Sequence, residues 1–502
     1  MTVSAKPLEP NSLIVSETPA DGKVAVIDVG SNSVRLVVYD GLYRAPYPVF
    51  NEKVLCGLGR SLDQTGELDA EAVDHAIRTV RRFVELLRAM QVVDIEVVAT
   101  AAVRDAANGD EFVRMIEQQT GAVIRVLSGT EEARLSSLGV LSACPDAEGI
   151  MGDLGGGSLE LVALRDGATA QASTLPIGPL RLRSAGTKPR RLIDDALAGL
   201  NWLPTVAGGD LHVVGGAWRA LGRIHMARTG YPLKVLHGLA LPAADMETLA
   251  RLISGLGRTS LKRISGVPKE RLDTLPLAAL ILSRLLRVAQ PARVVFSAYG
   301  LREGLLFDKL AEARRTEDPL LDLSRRAARQ RARFPEHADE LMRWIDPLFA
   351  GEGPEQQRLR HAAAVLSDIA WRAHPEYRAE TALTDILHGP FVGIDHTSRA
   401  WLALSVHARY TGSNGGSYTR AARIIVDQDA AADARRVGLA LRLGHTLSGG
   451  VPGLLDRSQL QLTADRLILD AGGCAELIGD VVERRLETLA RAFDRDYAIK
   501  TD

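Results

Sequence analysis

The chain has 502 residues, too many for one hydrophobic core, so two to four domains are expected. With 25% charged and 46% hydrophobic residues it has the composition of an ordinary soluble globular protein, and a net charge of −1 excludes global attraction to a polyanion, which would need a local basic patch. The three cysteines (Cys56, Cys144, Cys474) lie far apart, without metal-ligand spacing, as suits a reducing cytoplasm.

The polar stretch through Gly22 lacks a basic-then-apolar leader pattern, and no apolar run reaches membrane-spanning length. Residues 1–20 are expected to form a flexible tail. Val24 to Asp40, VAVIDVGSNSVRLVVYD, then reads as a strand ending at Asp28, a turn through Gly30, Ser31, Asn32 and Ser33, and a second strand. Gly30 permits a tight turn, and the polar residues supply donors around Asp28, a composition that suits a phosphate with a cation beside it. A turn-rich stretch follows from Cys56 to Leu68. Apolar residues at Val73, Ile77, Val80, Val84 and Leu87 predict a helix over 69–90. A buried strand at 95–100 leads into ATAAVRDAAN, followed by a helix at 110–119 and a strand at 123–127. Ser128-Gly-Thr-Glu131 has the form of a capping box opening a helix to about Ala143. With Ser128 as the cap, Glu131 is expected to fold back on the cap backbone, leaving Glu132 freer to face a cleft. A second hairpin starts at Ile150, and strands alternate with helices as far as 294–296 and the helix after Ser297, which argues for an α/β fold. Beyond about Lys309 the chain becomes rich in Arg, Ala and Leu and reads as helical, with joints at Glu317-Asp-Pro319 and 351–354.

The first hairpin recurs. In DLGGGSLELVAL, Asp153 matches Asp28, Gly155 matches Gly30 and Ser158 matches Ser33. Two such units predict two similar lobes aiming donor-rich turns at a shared cleft, as in actin, Hsp70 and sugar kinases. The set VIDVGSNSVRL, ATAAVRDAAN, VLSGTEEARL, DLGGGSLEL and SAYGLREGLL, in this order from residue 24 to about 307, resembles the exopolyphosphatase and guanosine pentaphosphate phosphohydrolase (Ppx/GppA) family. The resemblance implies a duplicated actin/Hsp70/sugar-kinase-like (ribonuclease H-like) half followed by an all-α HD-like domain. The expected boundaries are 21–140 and 141–310 for the lobes and 311–502 for the helical domain. Where an HD motif would continue from His361, Ser367 stands in place of the His before Asp368, so a second metal site there is not expected.

Phosphoanhydride hydrolysis needs a positioned water, a base and positive charge on the phosphoryl oxygens. Glu131 and Glu132 are the base candidates, and the resemblance favours Glu132, the Glu directly before Ala-Arg. Asp153 and Asp28 are the candidates for holding Mg²⁺ or Mn²⁺, while Gly155, Gly156 and Gly157 with Ser158 form a nest of N–H groups for phosphate oxygens. The resemblance places Arg104 against the scissile phosphate; Gly215-Gly216 falls where the wider superfamily holds adenosine. Arg325, Arg329 and Arg333, spaced by four, predict one basic stripe on a helix, suited to tracking a polyphosphate. The resulting expectation is a cytoplasmic exopolyphosphatase, homodimeric by the resemblance and tied to the stringent response. It would have no membrane or specific nucleic-acid partner. Guanosine pentaphosphate hydrolysis is the sister activity. The rivals are an ATP-dependent kinase, for which no convincing catalytic Asp is found, and a non-catalytic polyphosphate or alarmone sensor.

Overall fold

The computed structural model describes residues 22–184 and 188–501; the tail expected at 1–20 lies outside them. The chain divides into two compact units, one ending at Glu317 and the other beginning at Asp318. This break falls seven residues beyond the expected one because 311–317 is tied into the first unit. Arg315 Nε donates to the Leu310 carbonyl at 2.9 Å, and Arg44 Nε to the Glu317 carbonyl at 2.9 Å.

The first unit is built on two sheets of matching topology. The first contains β1 (Val24–Val29), β2 (Ser33–Tyr39), β3 (Pro48–Leu55), β4 (Asp94–Ala99) and β5 (Ile124–Val126), in the order β3-β2-β1-β4-β5. The second contains β6 (Gly149–Leu154), β7 (Leu159–Arg165), β8 (Ala168–Leu175), β9 (Asp210–Val214), β10 (Ala240–Pro242) and β11 (Arg293–Phe296), in the order β10-β11-β9-β6-β7-β8. Each opens with an antiparallel hairpin whose first strand then pairs in parallel with a later strand. Register confirms the repeat: Asp28 lies opposite Val98 on β4, and Asp153 opposite Val214 on β9. Covered on both faces, β1 and β6 tolerate near-continuous apolar sequence, and Val26, Ile27, Ile150 and Met151 are fully buried.

The helices that join the sheets change places. The helix Gly129–Ala143 follows the first sheet but packs on the second, burying Ala133, Val140 and Leu141 against Met151, Val162 and Leu164. The helix Leu301–Lys309 follows the second sheet but packs on the first, burying Leu305 and Leu306 against Val24, Val26, Val37 and Val98. The two helices cross in backbone contact. A Cβ on Gly304 would fall inside the Leu135 carbonyl, and one on Gly139 inside the Gly300 carbonyl. At the same junction Tyr39 donates to Glu303 Oε1 at 2.6 Å, and Glu303 Oε2 accepts from the Gly300 N–H at 3.0 Å.

The second unit is helical. Its long helices His396–Thr411 and Gln428–Ser448 are capped by Asp395 and Asp427, each accepting a backbone N–H at 2.7 Å. One addition was not read from the sequence: β12 (Gln459–Leu462), β13 (Arg466–Asp470) and β14 (Asp496–Lys500) form a small sheet. The expected three-arginine stripe does not form. The helix Pro319–Arg331 ends two residues before Arg333; Arg325 and Arg329 remain exposed on it, while Arg333 turns to pair with Asp368 at 2.9 Å. No helix among the described residues is long and apolar enough to cross a membrane.

Gly304→Ala is expected to lower unfolding stability by about 1–3 kcal/mol, because the helices must separate to admit a methyl group. Denaturant unfolding followed by circular dichroism checks this.

Candidate active site

The carboxyl ends of β1 and β6 open on one cleft of about 410 Å³. Both Asp-turns reach it with the same geometry: Gly30 N–H donates to the Ser33 carbonyl at 3.0 Å and Gly155 N–H to the Ser158 carbonyl at 3.1 Å. The turns face each other closely enough that a Cβ on Gly156 would stand 3.0 Å from the Ser31 Cβ. Asp28, Gly30, Ser31, Asn32 and Ser33 therefore line the same cleft as Asp153, Gly155, Gly156, Gly157 and Ser158.

The adjacent glutamates separate as their positions on the helix require. Ser128 Oγ accepts the Glu131 N–H at 3.2 Å and caps the helix. Glu131 does not complete the capping box. Its carboxylate pairs instead with Arg134 at 3.1 Å, and Arg134 continues to Asp308 at 2.8 Å, tying the crossed helices together. Glu132 points the other way, is 8% exposed and lines the cleft. Its Oε2 accepts from Arg104 Nη1 at 2.9 Å. Arg104 also holds the Leu127 carbonyl at 3.1 Å and Asp105 at 3.2 Å, and is not among the residues lining the cleft. Among the cleft-lining residues, its observed hydrogen bond is to Glu132.

Burial pushes the Glu132 carboxyl up to about 7; Arg104 opposes the rise, and the charges of Asp153 and Asp28 add to it. Burial likewise raises Asp28, against the pull of Arg302 and Arg35, and raises Asp153, against its 2.7 Å bond from Ser136 Oγ and the charge of Arg219. Two oxygen-donor side chains on facing turns match the one or two carboxylates that Mg²⁺ takes alongside substrate oxygens and water. Among the described residues no third acidic, His or Cys side chain completes an all-protein metal cage.

Sequence reasoning missed four members of this site. Arg302 lies by the two Asp turns with a buried Nη1 that has no protein partner. Arg219 and Arg35 also line the cleft. Glu160, opposite Asp153 on β7, is 1% exposed, and burial holds its carboxyl well above the usual range, with Glu132 and Asp153 adding to the rise. Arg302 and Glu160 stand inside SAYGLREGLL and DLGGGSLEL, and Arg219 follows Gly215-Gly216 in VVGGAWRAL, so the signal was present as motif membership. At Gly216 the Arg271 guanidinium occupies the space that a single methyl group would need.

Residues 37–313 match the model of the Ppx/GppA phosphatase family. The chain belongs to that family. Residues 320–498 match the model described as exopolyphosphatase, C-terminal. The chain is 29% identical to exopolyphosphatase 1 of Mycobacterium leprae over 308 residues, 57% of this chain and 89% of that one. It is 28% identical to exopolyphosphatase 2 of Mycobacterium tuberculosis over 288 residues, 53% of this chain and 90% of that one. The crystal structure of an exopolyphosphatase from Cytophaga hutchinsonii shares the fold, with a TM-score of 0.52 and 24% identity over 57% of this chain and 96% of that one. The chain is thus a phosphatase, a hydrolytic enzyme, with the actin-like fold of its family.

The position of Glu132 has a consequence for stability. Its carboxyl rises from an ordinary 4.5 to about 7, so the folded state holds a proton that the unfolded state has lost. Stability should therefore be greatest below about pH 4.5 with respect to this group and decline as pH rises toward 7. Relative to the Glu132→Gln variant, which does not titrate, the parent should lose melting temperature across that window; parallel pH curves would sink the assignment.

Proposed function

We propose that this phosphatase removes the terminal phosphate of linear inorganic polyphosphate, with Glu132 as the base that activates water. The observation that carries the reading is the placement of Glu132: a buried carboxylate near its proton-exchange midpoint at neutral pH, on the wall of a cleft framed by two donor-rich turns. The names of the Mycobacterium relatives support the choice of substrate.

On this reading the backbone N–H groups of Gly155, Gly156 and Gly157, with Ser31, Asn32 and Ser158, seat the terminal phosphoryl group. Arg302 places its unpartnered Nη1 on the non-bridging oxygens, and Arg219 and Arg35 add to the field around them. Glu132 accepts a proton from water as the water oxygen bonds to phosphorus and the bridging P–O bond breaks. Orthophosphate and a chain shorter by one unit leave. Arg104 is a positioning residue that aims the Glu132 carboxylate and limits its rise in pKa. Asp153 and Asp28 would hold a divalent cation, Mg²⁺ or Mn²⁺, which when bound supplies positive charge to the phosphate oxygens. A cytoplasmic homodimer belongs to the same reading.

Phosphate release from long polyphosphate, guanosine pentaphosphate and ATP, compared side by side, tests the substrate; preference for either nucleotide overturns the reading. Glu132→Gln should reduce kcat on polyphosphate by about 10²–10⁴-fold while retaining binding. Glu131→Gln should stay active, since its carboxylate serves the Arg134–Asp308 bridge. The reverse pattern would move the base to Glu131.

Asp153→Asn should raise the Mg²⁺ concentration needed for half-maximal activity, because a hard cation loses a charged ligand. Unchanged metal dependence would assign the ion to other residues.

A further inference from the structure

Arg181 joins the two lobes beside the cleft. It stands on the short helix Pro179–Ser184 of the second lobe, and its guanidinium spans two carboxylates of the first. Its Nε donates to Asp63 at 3.1 Å and its Nη2 to Asp105 at 2.8 Å. All three side chains are partly exposed, so as ion pairs these contacts contribute little to stability. What matters is the machinery to which each end is attached.

On the second lobe, the backbone around Arg181 is bonded to the triple-glycine turn that lines the cleft. Gly178 N–H donates to the Gly157 carbonyl at 3.0 Å, and Leu180 N–H to the Gly156 carbonyl at 2.9 Å. The approach is so close that a Cβ on Gly178 would fall on the Gly156 carbonyl. Arg181 therefore projects from a segment fastened to the back of that turn. The seam it crosses is tight. Ser31, Gly59, Leu62, Ala101 and Leu180 enclose with it a void of only about 10 Å³, at the lower limit for one water.

On the first lobe, Asp105 divides its two oxygens between two arginines. Oδ2 accepts from Arg181, and Oδ1 accepts from Arg104 Nε at 3.2 Å. Arg104 Nη1 in turn donates to Glu132 Oε2 at 2.9 Å. A guanidinium is planar, so holding Nε on one side and Nη1 on the other fixes the direction of its donors. The carboxylate of Asp105 turns broadly about its last bond unless both oxygens are held, and Arg181 holds the second one. Asp63 anchors the opposite edge of the Arg181 guanidinium from the short helix Leu62–Thr65.

Resting on the reading of Glu132 as the base, we propose that Arg181 is a positioning residue for hydrolysis. Through Asp105 it steadies the Arg104 guanidinium that aims Glu132, and it registers that carboxylate against the glycine turn of the other lobe. Four hydrogen bonds, none longer than 3.2 Å, make up the line from Gly156 to Glu132. Losing Arg181 misaims the base while every group that lines the cleft stays in place. The loss therefore falls on kcat and spares KM.

The test is a double-mutant cycle on the full-length protein, with phosphate release measured on the preferred substrate of the comparison above. Arg181→Met should lower kcat about tenfold, a loss expected when a reacting group is misaimed by less than about 1 Å, with KM within about twofold of the parent. Arg104→Lys should also lower kcat, since one ammonium cannot hold Asp105 and Glu132 as a fork does. Adding Arg181→Met to Arg104→Lys should cost no more than about a further twofold, because the relay is already broken. Asp63→Asn, which leaves the bond to Asp105 in place, should keep kcat within about twofold. Circular dichroism checks that each variant folds, and Arg181→Gln replaces Arg181→Met if the latter does not. A loss that repeats undiminished in the Arg104→Lys background overturns the proposal. So does a loss carried by KM, a loss matched by Asp63→Asn, or an unchanged kcat in Arg181→Met. Glu132→Gln, assayed alongside, separates the two possible failures. If it is inactive while one of those outcomes is seen, the relay alone falls; if it keeps parental turnover, the base assignment falls and the relay with it.

Discussion

The backbone contact between the helices Gly129–Ala143 and Leu301–Lys309 is the constraint on which the cleft depends, because each helix is lent by one lobe to the other. Gly139 and Gly304 bring the two chains to a separation that no side chain permits. One of these helices carries Glu132 and the other Arg302, so the buried carboxylate and the buried guanidinium are set by the same crossing. Glu131, Arg134 and Asp308 bridge the pair on the partly exposed side, while Tyr39 and Glu303 fix it on the buried side. The exposed bridge contributes little energy by itself. Its value is directional, since it commits Glu131 outward and leaves the next residue, about 100° further round the helix, to face the cleft.

The cleft is a balance of opposing charges more than an attractive surface. Asp28, Asp153, Glu132 and Glu160 are all raised by burial; Asp28 adds to the rise of Asp153 and Glu132, and Glu132 and Asp153 add to that of Glu160. Arg302, Arg219 and Arg35 offset them without forming closed ion pairs with them. A carboxylate in such a setting stays poised instead of being locked in one protonation state. Removing Arg104 would release Glu132 from the partner that opposes its rise through a direct hydrogen bond.

Much of this was legible in the sequence because it is local or repeated. The Asp28–Ser33 and Asp153–Ser158 turns could be aligned by eye, and their common Gly-to-Ser hydrogen bond follows from that alignment. That Glu131 and Glu132 face different ways was legible from the Ser128 cap, although Glu131 does not fold back on the cap as expected: its partner is Arg134, held in turn by an aspartate 174 residues further along. Arg302, Arg219 and Glu160 were hidden for the same reason. Their roles come from burial beside residues remote in sequence, and no spacing rule marks a buried Arg apart from a surface one. Arg333 was misplaced because four-residue spacing was extended past a helix end at Arg331, where Ala332 turns extended. The strands β12 to β14 are short and lie within a run of helices, so periodicity gave them little weight.

Both units bury arginines, but they do so with different companions, and this separates their chemistry. In the cleft, Glu132 is near its midpoint at neutral pH and can exchange a proton. In the helical unit the buried carboxylate of Asp368 is held between two guanidinium groups. The nearby His445 is kept neutral by burial and by adjacent cations, and its Nε2 is occupied by Ser367 Oγ at 2.8 Å. The Ser that replaces the expected His at position 367 thus removes a metal ligand and occupies a ring nitrogen of the neighbouring His.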